Sequence, residues 1–218
     1  MIITIDGAAG TGKTTVGLLT ANRLNFKFLD TGKIYRAFTL KLIKESIKFD
    51  NKEVLRMLKL TSIDYSFNNN KSKESIFLDG TDVTEEISHE SVEKKVSNIS
   101  KLPEVRTKMT LLQRSIVNNE NFVVVGRDVG TVVLPEAELK IFLLASLEER
   151  AKRRYFERDN QSYKNIISSM ETRDNIDSTR KVAPLKAPES SLIIDTEGVD
   201  IIEVSNKIIK EFNNEYSL

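Results

Sequence analysis

The chain has 218 residues, a net charge of +1 and no cysteine. That length suits one α/β domain with room for a small insertion. The charge argues against a protein that tracks nucleic acid or a membrane surface, and the missing cysteines exclude disulfides and thiolate metal sites.

The first element is an apolar run, Ile2–Ile5, too short for a signal peptide and readable as a core strand. Residues 7–14 follow at once as Gly-Ala-Ala-Gly-Thr-Gly-Lys-Thr, the pattern G-x-x-x-x-G-K-[ST]. A strand that ends in a glycine-rich turn and opens a helix presents backbone N–H groups and a positive dipole end to an anion. The residues expected to hold ATP are therefore Gly7, Ala8, Ala9, Gly10, Thr11, Gly12, Lys13, Thr14 and Thr15. Lys13 can reach the β- and γ-phosphates, and the Thr14 hydroxyl can ligate Mg2+ together with waters and ATP phosphates. Val16, Leu19 and Arg23–Leu24 then recur at helical spacing.

A second strand, Phe26–Leu29, leads into Asp30-Thr31-Gly32-Lys33-Ile34-Tyr35-Arg36. Thr31 and Arg36 can form a second anion pocket. The alternative is a plain helix start, with Thr31 as cap and Arg36 on the surface. Ile34, Phe38 and Leu42 share one helix face. The β/α alternation then breaks. Ile63–Phe67 alternates, a polar stretch follows, and Asp79-Gly80 marks a hairpin turn before Thr81-Asp82-Val83. An antiparallel meander at about residues 61–84 is expected. His89, the only histidine, lies in a polar helical stretch and reads as a surface residue.

Val105, Met109, Leu112 and Ile116 share another helix face before the strand Phe122–Val125. Past that strand comes Gly126-Arg127-Asp128-Val129-Gly130-Thr131. Ligands of open α/β sheets bind where strands end, so Arg127 and Asp128 are site candidates; a surface ion pair in a turn is the alternative. After the strand Lys140–Ala145, Ser146 and Glu149 form a capping box that opens a basic helix. Arg150 and Arg154 are i, i+4 neighbours on it, with Arg158 beyond; Arg173, Asp177 and Arg180 stack at i, i+4 and i+7. Two such arginine faces flanking a polar connector read as a lid closing over polyphosphate. A fifth strand, Leu192–Ile194, precedes a helix built on Ile201, Ile202, Val204, Ile208 and Phe212. The fold class expected is α/β: a five-stranded parallel sheet with helices on both faces, an antiparallel insert and a helical lid.

GAAGTGKT, DTGKIYR, GRDVGTVV and TRDNIDSTRKVAPL together resemble the bacterial cytidylate kinases. The resemblance spans nearly the whole chain, with Ala8-Ala9 where the family often has Pro-Ser and Thr31 where it has Ser. It implies a single kinase domain over 1–218, an acceptor-binding region at about 30–105 that includes the meander, and a lid at about 150–175. The implied reaction moves phosphate from ATP to CMP, and to dCMP, with Mg2+. By the same resemblance Thr31, Arg36, Arg127 and Arg180 hold the CMP phosphate, Ser97, Arg106 and Asp128 read the cytosine edge, and Arg173 and Asp177 lie near the ribose. Lys13, Arg127, Arg180 and Arg154 are the catalytic candidates, and Arg150 and Arg154 are expected to touch ATP. A cytoplasmic monomer that binds neither nucleic acid nor membrane is expected. Other readings are a uridylate or adenylate kinase, a GTPase switch and a nucleic-acid-dependent ATPase. The GTPase lacks its Asn-Lys-x-Asp segment here; Asn51-Lys52-Glu53-Val54 has no aspartate.

Overall fold

The computed structural model describes residues 1–47, 50–157 and 162–216; Arg158 of the basic stretch lies outside them. In chain order the elements are β1 (Ile2–Gly7), α1 (Lys13–Leu24), β2 (Lys27–Asp30), α2 (Thr31–Lys44), α3 (Asn51–Leu60), β3 (Ile63–Asn68), β4 (Lys73–Leu78) and β5 (Thr81–Asp82). Then come α4 (Glu90–Ser100), α5 (Pro103–Ile116), β6 (Phe122–Gly126), β7 (Leu139–Leu144), α6 (Leu147–Phe156), α7 (Tyr163–Thr179), β8 (Leu192–Asp195) and α8 (Ile201–Tyr216). The chain divides into two compact units: Met1–Phe28 with Glu120–Leu218, and Leu29–Asn119.

The five expected parallel strands form one sheet in the order β2-β6-β1-β7-β8. β1 pairs in parallel with β6 and with β7, so that Asp6 stands opposite Gly126 on one side and Phe142 on the other. Val123, Val124 and Val125 are all buried, as a strand covered on both faces requires. Ser146 Oγ accepts from the Glu149 N–H at 3.2 Å, so the capping box opens α6 as expected.

Three helix faces differ from the sequence reading. In α1 the buried residues are Lys13, Val16, Gly17, Thr20 and Ala21, while Leu19 and Leu24 are only half-buried and Arg23 is exposed. The cause is Gly17. A Cβ there would lie 2.6 Å from Val125 Cγ1 and 2.9 Å from the Phe28 ring, so the helix meets the sheet along its smallest side chain. In α5 Val105 and Met109 are buried, but Leu112 and Ile116 are half-buried and the polar Arg106 and Gln113 are buried instead. In α8 Val204, Ile208 and Phe212 are buried while Ile201 and Ile202 are exposed. Phe212 meets Phe26 edge to face, with centroids 5.6 Å apart.

In the second unit β3, β4 and β5 form the expected antiparallel meander. Asp79 and Gly80 both have positive φ (50° and 81°) and pair Leu78 with Thr81 across a two-residue turn. Ile34, Phe38 and Leu42 are fully buried along α2. His89 is exposed, just before α4.

After β6 the chain makes one wide helical turn over Val129–Val133, in which Leu134 N–H donates to the Val129 carbonyl at 2.7 Å. Such π turns concentrate at functional sites. Asp6, fully buried at the end of β1, holds this turn by accepting from the Val129 N–H at 2.8 Å and the Gly130 N–H at 2.7 Å. A Cβ on Gly130 would fall 2.8 Å from Thr4 Oγ1 and 3.4 Å from the Asp6 carboxylate, so only glycine fits there.

Gly17→Ala gains about 1 kcal/mol of helix propensity but overpacks stiff neighbours, costing about 1–3 kcal/mol. A net loss of stability in chemical denaturation is expected; a net gain would show that α1 can back away from the sheet. Asp6 titrates at about 6 rather than 3.8, because burial outweighs its two backbone N–H bonds, Asp128 adds to the rise and Lys13 opposes it. The folded chain therefore keeps a proton that the unfolded chain releases near 3.8. The stability this group contributes is complete below 3.8 and is lost as pH rises through about 6. Two pH units correspond to about 3 kcal/mol. The unfolding free energy of the wild type minus that of Asp6→Asn is expected to fall by that order between roughly pH 4 and pH 7; a difference independent of pH would contradict the assignment.

Candidate active site

The donor cradle is built in the first unit, between β1 and α1. Gly12 adopts left-handed backbone (φ 87°) as the residue before α1, so the helix begins with its N–H groups facing the loop. Thr11 Oγ1 donates to the Ala8 carbonyl at 3.0 Å. The Lys13 ammonium lies folded over the loop, donating to the Ala8 carbonyl at 2.5 Å and to Thr11 Oγ1 at 3.1 Å. Its reach and the concave loop suit an anion such as a nucleotide phosphate. Thr14 and Thr15 are exposed at the start of α1.

Arg150 is buried behind this loop. It donates from Nη1 to the Ala9 carbonyl at 3.0 Å and to Asp174 at 2.6 Å, and from Nε to the Ala145 carbonyl at 3.1 Å. Ala9 also packs into an apolar cluster with Ala151 of α6 and Ile166 and Met170 of α7. Arg150 thus braces the phosphate loop against the two helices that follow β7, a role its i, i+4 spacing to Arg154 did not disclose. Arg154 is half-buried on α6.

A second set of charges gathers in the same unit, past the C-terminal end of β6. Arg127 Nε donates to Asp177 Oδ2 at 2.9 Å. Arg180 Nη1 lies 3.6 Å from Asp177 Oδ1, and its Nη2 donates to Asp128 Oδ1 at 3.0 Å. The sequence Arg127–Asp177–Arg180–Asp128 is therefore one alternating chain of charges. Arg180 follows α7 as its extended capping residue rather than continuing the helix. The segment beyond folds back, so that Arg180 Nε donates to the Ala183 carbonyl at 2.6 Å and Leu185 N–H to the Asp177 carbonyl at 2.8 Å. Burial tends to raise the Asp177 carboxyl, but Arg127, Arg173 and Arg180 outweigh it and hold the group below its ordinary value. Asp177 is thus an anion that joins the guanidinium groups of Arg127 and Arg180.

The second unit carries the remaining candidates. Asp30, not Thr31, caps α2: its carboxylate accepts from the Gly32 N–H at 2.9 Å, and Thr31 becomes the buried first residue of the helix. The reading of Thr31 as a mere cap is thereby removed. Arg36, half-buried, sits just over one turn along. Arg106 is buried on α5, its guanidinium 5.4 Å over the Tyr35 ring and donating to the Ser100 carbonyl at 3.0 Å. Ser97, also buried, offers its carbonyl to the Ser100 hydroxyl at 3.3 Å.

Asp6, Tyr35 and Glu74 were not singled out from the sequence. Only Asp6 left a signal, as a lone acid ending an apolar strand directly before the phosphate loop. Among the described residues no cluster of His, Cys, Asp and Glu could hold a metal by itself, and no helix is long and apolar enough to cross a membrane.

The family model described as cytidylate kinase matches residues 3–214. The cytidylate kinase of Caldanaerobacter subterraneus subsp. tengcongensis is 43% identical over 211 residues, covering 94% of this chain and 92% of that protein. The cytidylate kinase of Halalkalibacterium halodurans is 42% identical over 213 residues, covering 96% of each. Among solved structures, an uncharacterized protein from Eubacterium ventriosum superposes with a TM-score of 0.53 at 16% identity, covering 98% of both chains. TT1252 from Thermus thermophilus gives 0.50 at 16% identity, covering 99% of this chain and 97% of its own. These two likenesses concern the fold alone, whereas the sequence matches settle kinship: the chain belongs to the cytidylate kinase family.

Proposed function

We propose that this chain transfers the γ-phosphoryl group of ATP to CMP, and to dCMP, giving the diphosphate and ADP. The observation that carries the reading is the pairing, within one unit, of a phosphate loop with the alternating Arg127–Asp177–Arg180–Asp128 chain. One is suited to a donor polyphosphate and the other to an acceptor monoester. The membership in the cytidylate kinase family supplies the nucleotide.

The acceptor phosphate is already ionised at neutral pH, so its own oxygen attacks and no general base is needed. The exposed His89 fits that requirement. What catalysis requires is in-line placement of two polyanions and stabilisation of charge on the moving group. In this reading residues 7–15 hold the ATP phosphates, with Lys13 on the β- and γ-oxygens. Arg154 acts from α6, and Arg150 acts by keeping the loop in place. Thr31, Arg36, Arg127 and Arg180 grip the acceptor phosphate, and Arg173 and Asp177 lie at the ribose. The acceptor-binding region is about residues 30–105, and the lid, at about 150–175, is formed by α6 and α7. A Mg2+ ion arriving with ATP suits the exposed Thr14 hydroxyl, because that ion keeps most of its waters and takes the rest of its ligands from phosphate. Bound there, it would neutralise charge on the β- and γ-oxygens.

Base choice rests on Ser97, Arg106 and Asp128. Cytosine donates from N4 and accepts at N3 and O2, which matches a carboxylate at Asp128 and a guanidinium at Arg106. Uracil would place an oxygen against Asp128. A monomer in the cytoplasm is the state proposed. The net charge of +1 gives no support to a nucleic-acid partner.

An ADP-release assay with CMP, dCMP, UMP, AMP and GMP tests the function. Turnover driven by CMP and dCMP is expected, and no turnover with any of the five would remove the kinase reading. For Asp128→Asn the ratio of kcat/KM for CMP over UMP is expected to fall by about tenfold or more, the equivalent of one buried mismatch. An unchanged ratio would take base recognition away from Asp128.

A further inference from the structure

Strand β4 alternates strictly, and its inward positions are Glu74, Ile76 and Leu78, all buried. A carboxylate thus stands where the pattern calls for an apolar residue. Glu74 is 4% exposed. Its Oε1 accepts from the Asp30 N–H at 2.8 Å, and its Oε2 lies 2.6 Å from the Lys33 ammonium. Burial and the neighbouring Asp30 raise the carboxyl to about 7 against the pull of Lys33, so this charge is held at a cost to the fold.

The partners explain why it is kept. Asp30 is the capping residue of α2, and Lys33 stands at the third helical position. In a capping box an acid at that third position reaches back to the N–H of the cap residue. Lysine cannot accept that bond. Glu74, 44 residues away on another element, accepts it instead and pairs with the lysine. Its negative charge also sits favourably at a helix N-terminus. The first turn of α2, which carries Thr31 and leads to Arg36, is therefore capped by its own Asp30 side chain and completed by the meander, which takes up the Asp30 N–H.

We infer that Glu74 is a positioning residue for the acceptor phosphate, and that through it the inserted meander fixes the turn carrying Thr31 and Arg36. This rests on the assignment of those two residues to the CMP phosphate. Glu74 itself need not touch substrate.

The test is steady-state kinetics of the full chain and two variants, each checked for cooperative melting. Glu74→Ala loses both partners, and Glu74→Gln keeps an oxygen for the Asp30 N–H. KM for CMP is expected to rise about tenfold or more in Glu74→Ala and about threefold or less in Glu74→Gln, with KM for ATP within about twofold in both. A folded Glu74→Ala with unchanged KM for CMP overturns the inference. So does an equal rise in both KM values, which marks a general structural role. If Glu74→Ala does not fold, Glu74→Asp decides: a rise of about threefold or more in KM for CMP alone supports the inference, and no rise overturns it. A wild type inactive on CMP overturns the functional reading as well, whereas an active wild type with an indifferent variant overturns this inference alone.

Discussion

Bringing two phosphate groups together requires concentrated positive charge, and concentrated positive charge repels itself. Two unit charges ~4 Å apart near a protein surface repel by about 4 kcal/mol. In the first unit the conflict is met by interleaving. Asp177 stands between Arg127 and Arg180, and Asp128 takes the far side of Arg180. The carboxylates let the guanidinium groups remain near one another; in the proposed reaction the acceptor phosphate would complete the charge balance. Electrostatic preorganisation of this kind needs no rearrangement at the moment of reaction.

The same logic recurs at smaller scale. Arg150 is balanced by Asp174 and donates as well to the carbonyls of Ala9 and Ala145. Lys33 is balanced by Glu74 at the head of α2. Asp6 differs, because it balances backbone N–H groups and not a side chain. By tying Val129 and Gly130 to the end of β1 it sets the loop that bears Arg127 and Asp128 one strand away from the phosphate loop. Strand order makes this possible, since β6 is the immediate neighbour of β1. Each acid therefore has a task that a generic surface carboxylate would not perform.

Much of this was legible from residue order. The phosphate loop, the five strand runs, the meander with its Asp79-Gly80 turn and the Ser146–Glu149 cap are all local patterns, and local patterns survive in sequence. What escaped the sequence depends mostly on what lies far along the chain. Leu19 recurs at helical spacing, but Gly17 lets α1 sink onto Val125 and Phe28 and leaves Leu19 half-buried. Asp6 and Val129 are 123 residues apart, and Asp30 and Glu74 are 44 apart; no window reveals such bonds. Ile201 and Ile202 match the helix period of α8 yet stay exposed, because a pattern names a face without saying where its packing begins.

In the proposed reaction place and charge alone supply the catalysis, with the acceptor's own oxygen as nucleophile, and arginines from separate parts of the sequence serve one phosphate. The most direct measurement is a crystal structure of the chain with CMP and a non-hydrolysable ATP analogue. The CMP phosphate oxygens are expected within hydrogen-bond distance of the guanidinium groups of Arg36, Arg127 and Arg180, with the analogue's β- and γ-phosphates on the N–H groups of residues 7–14 and on Lys13. A CMP phosphate held without those three arginines would contradict the proposal.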